Sequence, residues 1–386
     1  MNVTQRPSPR LVVITLAAAL LCAHAVAAAP SAGAQAAAKT AAPGLTRAAL
    51  RATNPAIGDA AFNAKWKAAL ESPLLFIRSF PAGYHASLKG VTPPLGAEGL
   101  CVGDAHPANF GFLLLGGKTR FGYNDLDDSG DCPVAWDALR YFIALKLATG
   151  DDGLVKDIVE RYVDVVKDAS RASGVPKNLE PDWGKVAKKG LDEASKGDKI
   201  VGAEVTAATA GERSAIVAAL KGDARTKNLT VLDVAAIARE SGGSGGLARF
   251  WVLAQAGQAR TLLELKEATR PGVEWGRHTK SLSAGQRLGT LKAAFWGAEY
   301  PNDWYGLTIG KTNFLVRDRL QKKSLDVIEL GKKDQKDVLQ AQASELARIH
   351  RAAWSSVKKD DLRAFLLDYG DALGKTWKDA YAAARR

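Results

Sequence analysis

The 386-residue chain has few histidines, no long block of like charge, no internal repeat and no apolar run of membrane-spanning length. A retained anchor needs roughly 20 consecutive apolar residues. The N-terminal apolar run, residues 11–21, falls short of that. Arg6 and Arg10 precede it and Ala27-Ala28-Ala29-Pro30 follows, which is the pattern of a secretory signal over residues 1–29. Cys22 follows Leu20-Leu21 where a lipidation signal wants a small residue, so no stable membrane anchor is expected after cleavage. Residues 30–45 are Ala-rich and too poor in large apolar side chains to fold alone, and read as a disordered linker. The formal charge of +12 becomes +10 without Arg6 and Arg10. Its Lys and Arg are scattered, which suits a solvated basic surface and a phosphate-bearing ligand, and no nucleic-acid partner is expected. Without the leader the histidines are His85, His106, His278 and His350, in no cluster, which weighs against a metal-dependent phosphoesterase. Cys101 and Cys132 also remain, and a disulfide between them and a pair of buried free thiols are both open readings.

Helical spacing runs from Arg47 to about Leu70, with Phe62, Trp66, Ala69 and Leu70 three and four residues apart, and Ser72-Pro73 ends it. Leu74-Leu75-Phe76-Ile77-Arg78 and residues 99–102 read as buried strands. Residues 110–115 and 119–123 flank Gly116-Gly117-Lys118 and predict a hairpin. Residues 136–149 predict a helix with a broad apolar face. Most of 151–225 is also helical, with breaks near Gly174-Val175-Pro176 and Gly197-Asp198. After Asn228 the character changes, and 231–239, 247–255 and 259–266 predict three consecutive antiparallel strands. A helix over 283–295, a strand over 313–320 and a long helix over 335–354 complete the pattern. The expected fold class is α+β, with a mainly helical lobe over 46–227, a β-rich lobe over 228–330 and C-terminal helices over 331–386 that pack back on the helical lobe.

Three constellations carry chemistry. In Gly103-Asp104-Ala105-His106-Pro107-Ala108-Asn109 an Asp precedes an Asn by five residues at the exit of an apolar segment. The carboxylate can act on a hydroxyl proton while the Asn109 amide oxygen suits a hard cation. The hairpin returns the chain to Asn124-Asp125-Leu126-Asp127-Asp128, where a second carboxylate completes an oxygen set for Mg2+ bound to phosphate oxygens. Asp127, Asp128 and Asp131 add negative charge that repels itself without a cation or basic partner. Turn formation competes for any lone Asp or Asn, but several oxygen ligands between apolar segments favour the chemical reading. His106 either orients the loop by hydrogen bonding or joins Asp104 in the chemistry.

The second constellation is Ser241-Gly242-Gly243-Ser244-Gly245-Gly246 between two expected strands, with Lys266 near the end of the next. Glycines there let the backbone approach phosphates, and a strand lysine can reach them as a point charge. The third is the helix segment Ser344-Glu345-Leu346-Ala347-Arg348-Ile349-His350-Arg351, with His350 expected as a satisfied partner in the core.

These motifs resemble the parts of kinase-like phosphotransferases, above all the aminoglycoside phosphotransferase group. That group's catalytic loop reads Gly-Asp, four further residues, then Asn, and its metal-binding Asp lies after a short hairpin and before an Asp-bearing helix start. Gly103 to Asn109, Asn124 to Asp127 and Trp136-Asp137-Ala138-Leu139-Arg140 match in that order. The chain resembles more closely the uncharacterised bacterial family called domain of unknown function 2252. Its GDxHxxNFG motif is similar to residues 103–111, its NDFD to 124–127 with Leu126 in place of Phe, and its WD helix to 136–137. Phe76-Ile77-Arg78, Lys266-Glu267-Ala268, Val316-Arg317 and Leu346 to His350 match further motifs, so the similarity spans roughly 46–360.

Ordinary kinases place the Gly-rich hairpin and the strand lysine before the catalytic loop. Here both follow it, so the resemblance implies a protein-kinase-like two-lobed fold that is circularly permuted. Kinases also pair the strand lysine with a Glu on the next helix, and 283–295 has no acidic residue; Glu267 and Glu274 are the nearest.

The implied activity is Mg2+-dependent transfer of a phosphoryl or nucleotidyl group from ATP or another nucleotide to an unknown hydroxyl acceptor, in an exported, periplasmic or secreted protein. Asp104 and His106 are the expected catalytic pair. Asn109, Asp125 and Asp127 are the expected metal ligands, and Gly242, Gly243, Gly245, Gly246 and Lys266 the nucleotide contacts. The rivals are a catalytically inactive exported binding protein for an anionic glycan or phospholipid headgroup, and the phosphoesterase.

Overall fold

The computed structural model describes residues 42–276, 288, 291, 292, 295, 296 and 304–386. The signal expected over 1–29, most of the 30–45 linker, most of the 283–295 helix and His278 lie outside these residues. Ala42–Leu45 forms a 3-10 turn with Leu45 buried, so this end of the expected disordered linker is ordered.

Helix α1 (Arg47–Ala52) is capped by the Thr46 hydroxyl, which accepts from the Ala49 backbone N–H at 3.3 Å. Helix α2 (Asp59–Ala69) follows after a turn containing Asn54-Pro55, so the one helix expected here is two. Leu74 to Arg78, expected as a strand, lies in helix α3 (Pro73–Ser79). Ser72 is its N-cap, accepting from the Leu75 N–H at 3.1 Å, and Pro73 sits in the first turn. The Ser-Pro pair read as the end of one helix is therefore the start of the next. A short apolar run has no periodicity that separates a buried strand from a buried helix. Helix α4 (Pro81–Ser87) completes this N-terminal group.

Strand β1 (Glu98–Cys101) pairs antiparallel with β4 (Gly130–Pro133), and the disulfide between Cys101 and Cys132 joins them. Between them the expected hairpin forms from β2 (Phe110–Leu115) and β3 (Lys118–Tyr123), with Phe110 opposite Tyr123. Helix α5 (Val134–Thr149) is buried at every residue from Val134 to Leu145. A helix apolar on most sides belongs inside a core, and the charged Asp137 and Arg140 on it must then find partners. Helix α6 (Asp152–Lys167) and two helices from the end of the chain, Lys332–His350 and Lys359–Ala384, close the main core around Phe76, Phe142, Tyr162, Leu346 and Trp377.

Helix α7 (Trp183–Ala194), the short hairpin β5 (Ser195–Lys196) with β6 (Lys199–Ile200), strand β7 (Val205–Ala207) and helix α8 (Ala210–Gly222) follow. Next come β8 (Thr230–Ile237), β9 (Arg249–Ala256) and β10 (Ala259–Glu267), the three consecutive antiparallel strands expected from sequence. With β11 (Tyr305–Ile309) and β12 (Thr312–Asp318) they form a six-stranded antiparallel sheet in the order β11-β12-β10-β9-β8-β7. The sheet recruits Val205–Ala207 and is covered by α8, so its part of the chain starts before residue 228.

Alternate residues of a strand face opposite ways. Phe250, Val252, Leu263, Leu265 and Val316 turn to one face and pack on Ile216 and Leu220 of α8. The other face carries Glu264 and Lys266 on β10, Arg249 opposite Lys266, and Arg317 opposite Glu264. Strand β13 (Lys322–Ser324) leaves this sheet to pair with β2, lacing the sheet to the helical core. The fold is thus mixed α and antiparallel β. No described helix is long and apolar enough to cross a membrane.

Candidate functional site

A cleft of about 870 Å³ lies between the charged face of the sheet and the loops that follow β1 and β3. Asp104, His106, Asn109, Asp125, Gly242, Gly243 and Lys266 all line it, although Lys266 is 141 residues from Asp125 in sequence. Gly245 and Gly246 do not. A Cβ on Gly245 would meet the Glu240 carbonyl, and one on Gly246 would press on Ile57 and Ala61, so the second half of the Gly-rich turn is packed inward. The first half is tied down by Lys65, whose Nζ donates to the Gly243 carbonyl at 2.5 Å and to the Asn54 side chain at 2.9 Å. Asp127 lies outside the lining and pairs with Lys266. A second cavity of about 410 Å³, lined by apolar groups such as Ile57, Phe80 and Trp275, adjoins the cleft and shares Asp128 and Gly243 with it.

The loop bearing Asp104 is held by backbone contacts. Gly103 has φ +80°, and a Cβ there would strike the Asp128 carbonyl, so both the left-handed turn and the close approach require glycine. The Asp137 carboxylate accepts from the backbone N–H groups of Val102 at 2.7 Å and Gly103 at 2.9 Å. His350 Nε2 donates to Asp137 at 3.1 Å, its Nδ1 accepts from the Tyr162 hydroxyl at 2.8 Å, and Trp354 Nε1 donates to that hydroxyl at 2.7 Å. One donor direction satisfies this whole buried chain and sets the His350 tautomer. His350 is a satisfied core partner, as its helix pattern suggested, and its service is to Asp137. On the other side His85 Nε2 donates to the Gly103 carbonyl at 2.7 Å.

Asp104 itself meets Arg140 through Oδ1 and lies 3.3 Å from His106 Nε2 and 3.2 Å from Asn109 Nδ2 through Oδ2. Burial works against its charge, but His106 and Arg140 outweigh burial and hold the carboxyl well below the usual range. Burial also pushes His106 towards neutrality, so the lasting counter-charge is Arg140. This arginine comes from the WD helix and is fully enclosed, with its Nη2 also on the Ile77 carbonyl at 3.0 Å. Sequence motifs flagged the helix start, but nothing local reported that Arg140 reaches Asp104.

Lys266 Nζ lies 3.3 Å from both Asp125 oxygens and also meets Asp127. Burial opposes its charge, yet the two carboxylates raise its pKa. Asp125, despite burial, is held far below the usual range by Lys266, Lys322 and Arg317. Asp127 moves the other way, raised by burial and by Asp125. Asp128 is pushed up to about 7 by burial, then by Asp104 and Asp127. Beneath them Glu264, fully buried, receives Arg249 at 2.5 Å, Arg317 at 2.5 Å and Arg319 at 3.1 Å. This buried carboxylate, Arg249 and Arg317 were not singled out as site residues from sequence. Alternation on a strand places Glu264 and Lys266 on one face, which is the signal that was available.

Asn109, Asp125 and Asp104 are hard oxygen donors of the kind Mg2+ prefers. The raised Asp127 and Asp128 mark surplus negative charge that a cation would relieve. Among the described residues no three His, Cys, Asp or Glu side chains converge as a complete ligand set. Mg2+ held by one or two carboxylates together with phosphate oxygens does not need such a set.

Residues 59–173 match the family described as "Uncharacterized protein conserved in bacteria (DUF2252)". The DUF2252 match spans Phe76 to Arg78, the Asp104 and Asp125 loops, Asp137 and Arg140, and stops short of the Gly-rich turn and Lys266. No curated protein and no solved structure matches the chain.

Proposed function

We propose that this cleft is the active site of a kinase-like phosphotransferase, which moves a phosphoryl or nucleotidyl group from a Mg2+-bound nucleotide to a hydroxyl acceptor. The observation that carries the reading is the meeting of Lys266 with Asp125 across 3.3 Å. It puts a strand lysine, the Gly242-Gly243 turn and two carboxylate loops around one space. In this reading the two halves are those of a circularly permuted kinase-like fold, with the sheet half following the catalytic loop in sequence.

Asp104, kept ionised by Arg140, orients the acceptor hydroxyl; a loose transition state asks for positioning more than for a strong base. His106 Nε2 steadies Asp104 through its other oxygen. Asn109 and Asp125 would hold Mg2+, which would supply charge neutralisation at the transferring group, while Asp127 shares Lys266 with Asp125. Lys266 and the Gly242-Gly243 backbone cradle phosphate oxygens. The protein's task is alignment and charge placement.

A second reading, an exported binding protein for an anionic ligand, is favoured by Lys266 pairing with site carboxylates in place of a helix Glu. Thermal-shift and titration measurements with nucleotides, with and without Mg2+, separate the two. The enzyme reading expects Mg2+-dependent nucleotide binding that Lys266→Met and Asp125→Asn weaken, and turnover that Asp104→Ala abolishes with the fold intact. No stabilisation by any nucleotide overturns it, as does unchanged turnover in Asp104→Ala.

A further inference from the structure

Six cationic side chains line the cleft, and four of them have acceptors within the protein. Arg249 and Arg317 meet Glu264, Lys266 meets Asp125 and Asp127, and Lys322 donates to the Asn124 carbonyl at 3.1 Å. Arg78 and Arg239 are different. Neither guanidinium makes a hydrogen bond or ion pair among the described residues, and Arg78 Nε is enclosed without any partner.

The two arise from opposite sides of the cleft. Arg78 sits in α3, and Arg239 follows β8 at the entry to the Gly-rich turn. That turn brings the two sides together, because Gly243 packs on Pro81 and on the backbone of Arg78. Burial lowers the Arg78 pKa most, the Asp104 and Asp326 carboxylates oppose the shift, and the charges of Arg239 and Arg140 add to it. His106, whose Nδ1 is also buried without a partner, feels the charge of Arg78 in turn.

Two cationic side chains that line one cleft, neither of them hydrogen-bonded nor ion-paired within the described residues, form an arrangement that an anionic ligand would complete. Paired guanidiniums suit the oxygens of phosphate and sulfate groups. The position of the pair decides which ligand supplies them. Lys266 and Gly242-Gly243 face the donor's phosphates in the reading above, whereas Arg78 lies beside Asp104 and His106, where the acceptor hydroxyl is oriented. The geometry points to Arg78 and Arg239 as a clamp for an anionic group on the acceptor, which is then a hydroxyl compound already bearing phosphate or sulfate. The assignment to the acceptor rests on the phosphotransferase reading.

The test uses the full chain and inorganic phosphate as probe, with sulfate as comparator, by calorimetric titration at fixed ionic strength. Arg78→Gln and Arg239→Gln are each expected to weaken phosphate binding roughly ten-fold or more, as loss of a charge-assisted contact does. In phosphate-free buffer both variants should melt no lower than the wild type, because each loses an unpaired cation. Arg239 is exposed, so its variant keeps the measurement usable if Arg78→Gln folds poorly. Unchanged phosphate affinity in Arg239→Gln overturns the clamp. Phosphate excluded by a saturating Mg2+-nucleotide overturns its assignment to the acceptor, and phosphate bound alongside the nucleotide supports it. If no nucleotide binds, the phosphotransferase reading fails, while the two variants still decide whether the clamp exists.

Discussion

Replacing Glu264 by glutamine removes one negative charge from beneath three guanidiniums and leaves the shape of the side chain almost unchanged. Glu264 Oε1 meets Arg249 at 2.5 Å and Arg319 at 3.1 Å, while Oε2 receives Arg317 through Nη2 at 2.5 Å and Nε at 2.6 Å. The carboxylate has no solvent exposure, Arg249 is 4% exposed and Arg317 14% exposed, so water cannot replace it for these two partners. Arg319 is 35% exposed and its share is screened. At an effective dielectric constant of about 20, a unit pair 4 Å apart interacts by roughly 4 kcal/mol. Removing one member of a buried pair costs about 3–5 kcal/mol, because the remaining charge stays buried. Glutamine also turns an amide donor towards guanidinium donors. Glu264→Gln is therefore expected to lose about 3–5 kcal/mol of unfolding free energy, read by urea titration with linear extrapolation. A loss below about 1 kcal/mol, the scale of a surface ion pair, would refute the claim that Glu264 holds the charged face of the sheet together.

Two further outcomes follow from the support of the Asp104 loop. Burial lowers the His85 pKa to about 4 from its ordinary 6.5, outweighing the hydrogen bond to the Gly103 carbonyl, which raises it. The unfolded chain takes up the proton first, so this group's contribution is complete above pH 6.5 and drains away as pH falls to about 4. The full shift corresponds to about 3 kcal/mol; His85→Gln should flatten the stability profile across that window, and an unaltered slope would show that His85 does not control it. The Cys101–Cys132 disulfide closes a loop of 31 residues that carries Asp104, Asn109 and Asp125. Chain-entropy reasoning assigns such a loop about 3–4 kcal/mol. Urea unfolding of Cys101→Ala/Cys132→Ala should show that loss, and equal stability would mean that the β1–β4 ladder fixes the loop unaided.

Much of this molecule was legible in its sequence where the information is local. Alternation and glycine placement gave β2, β3, β8, β9 and β10, and apolar spacing gave the buried helix bearing Asp137 and Arg140. The Gly-Asp-x-x-x-x-Asn and Asn-Asp-x-Asp segments marked the two carboxylate loops because turn geometry and oxygen spacing are written in neighbouring residues. Local pattern misled at Leu74 to Arg78, where a short apolar run fits strand and helix alike and only the Ser72 cap decided for helix. It was also blind to which half of the Gly-rich turn faces the cleft, since Gly245 and Gly246 are distinguished by what packs on them and not by their own chemistry.

What tertiary structure alone decided is the pairing of charges. Asp104 meets Arg140 across 36 residues, Glu264 meets Arg317 across 53, and Asp125 meets Lys266 across 141. No periodicity encodes such partners, because a buried charge takes whichever opposite charge the folded chain brings within reach, and that reach is set by how the sheet lies against the helical core. The sequence by itself determined the kinds of groups that act in the cleft; the packing of sheet on core determined which of them are already satisfied, and which, like Arg78 and Arg239, are left facing it.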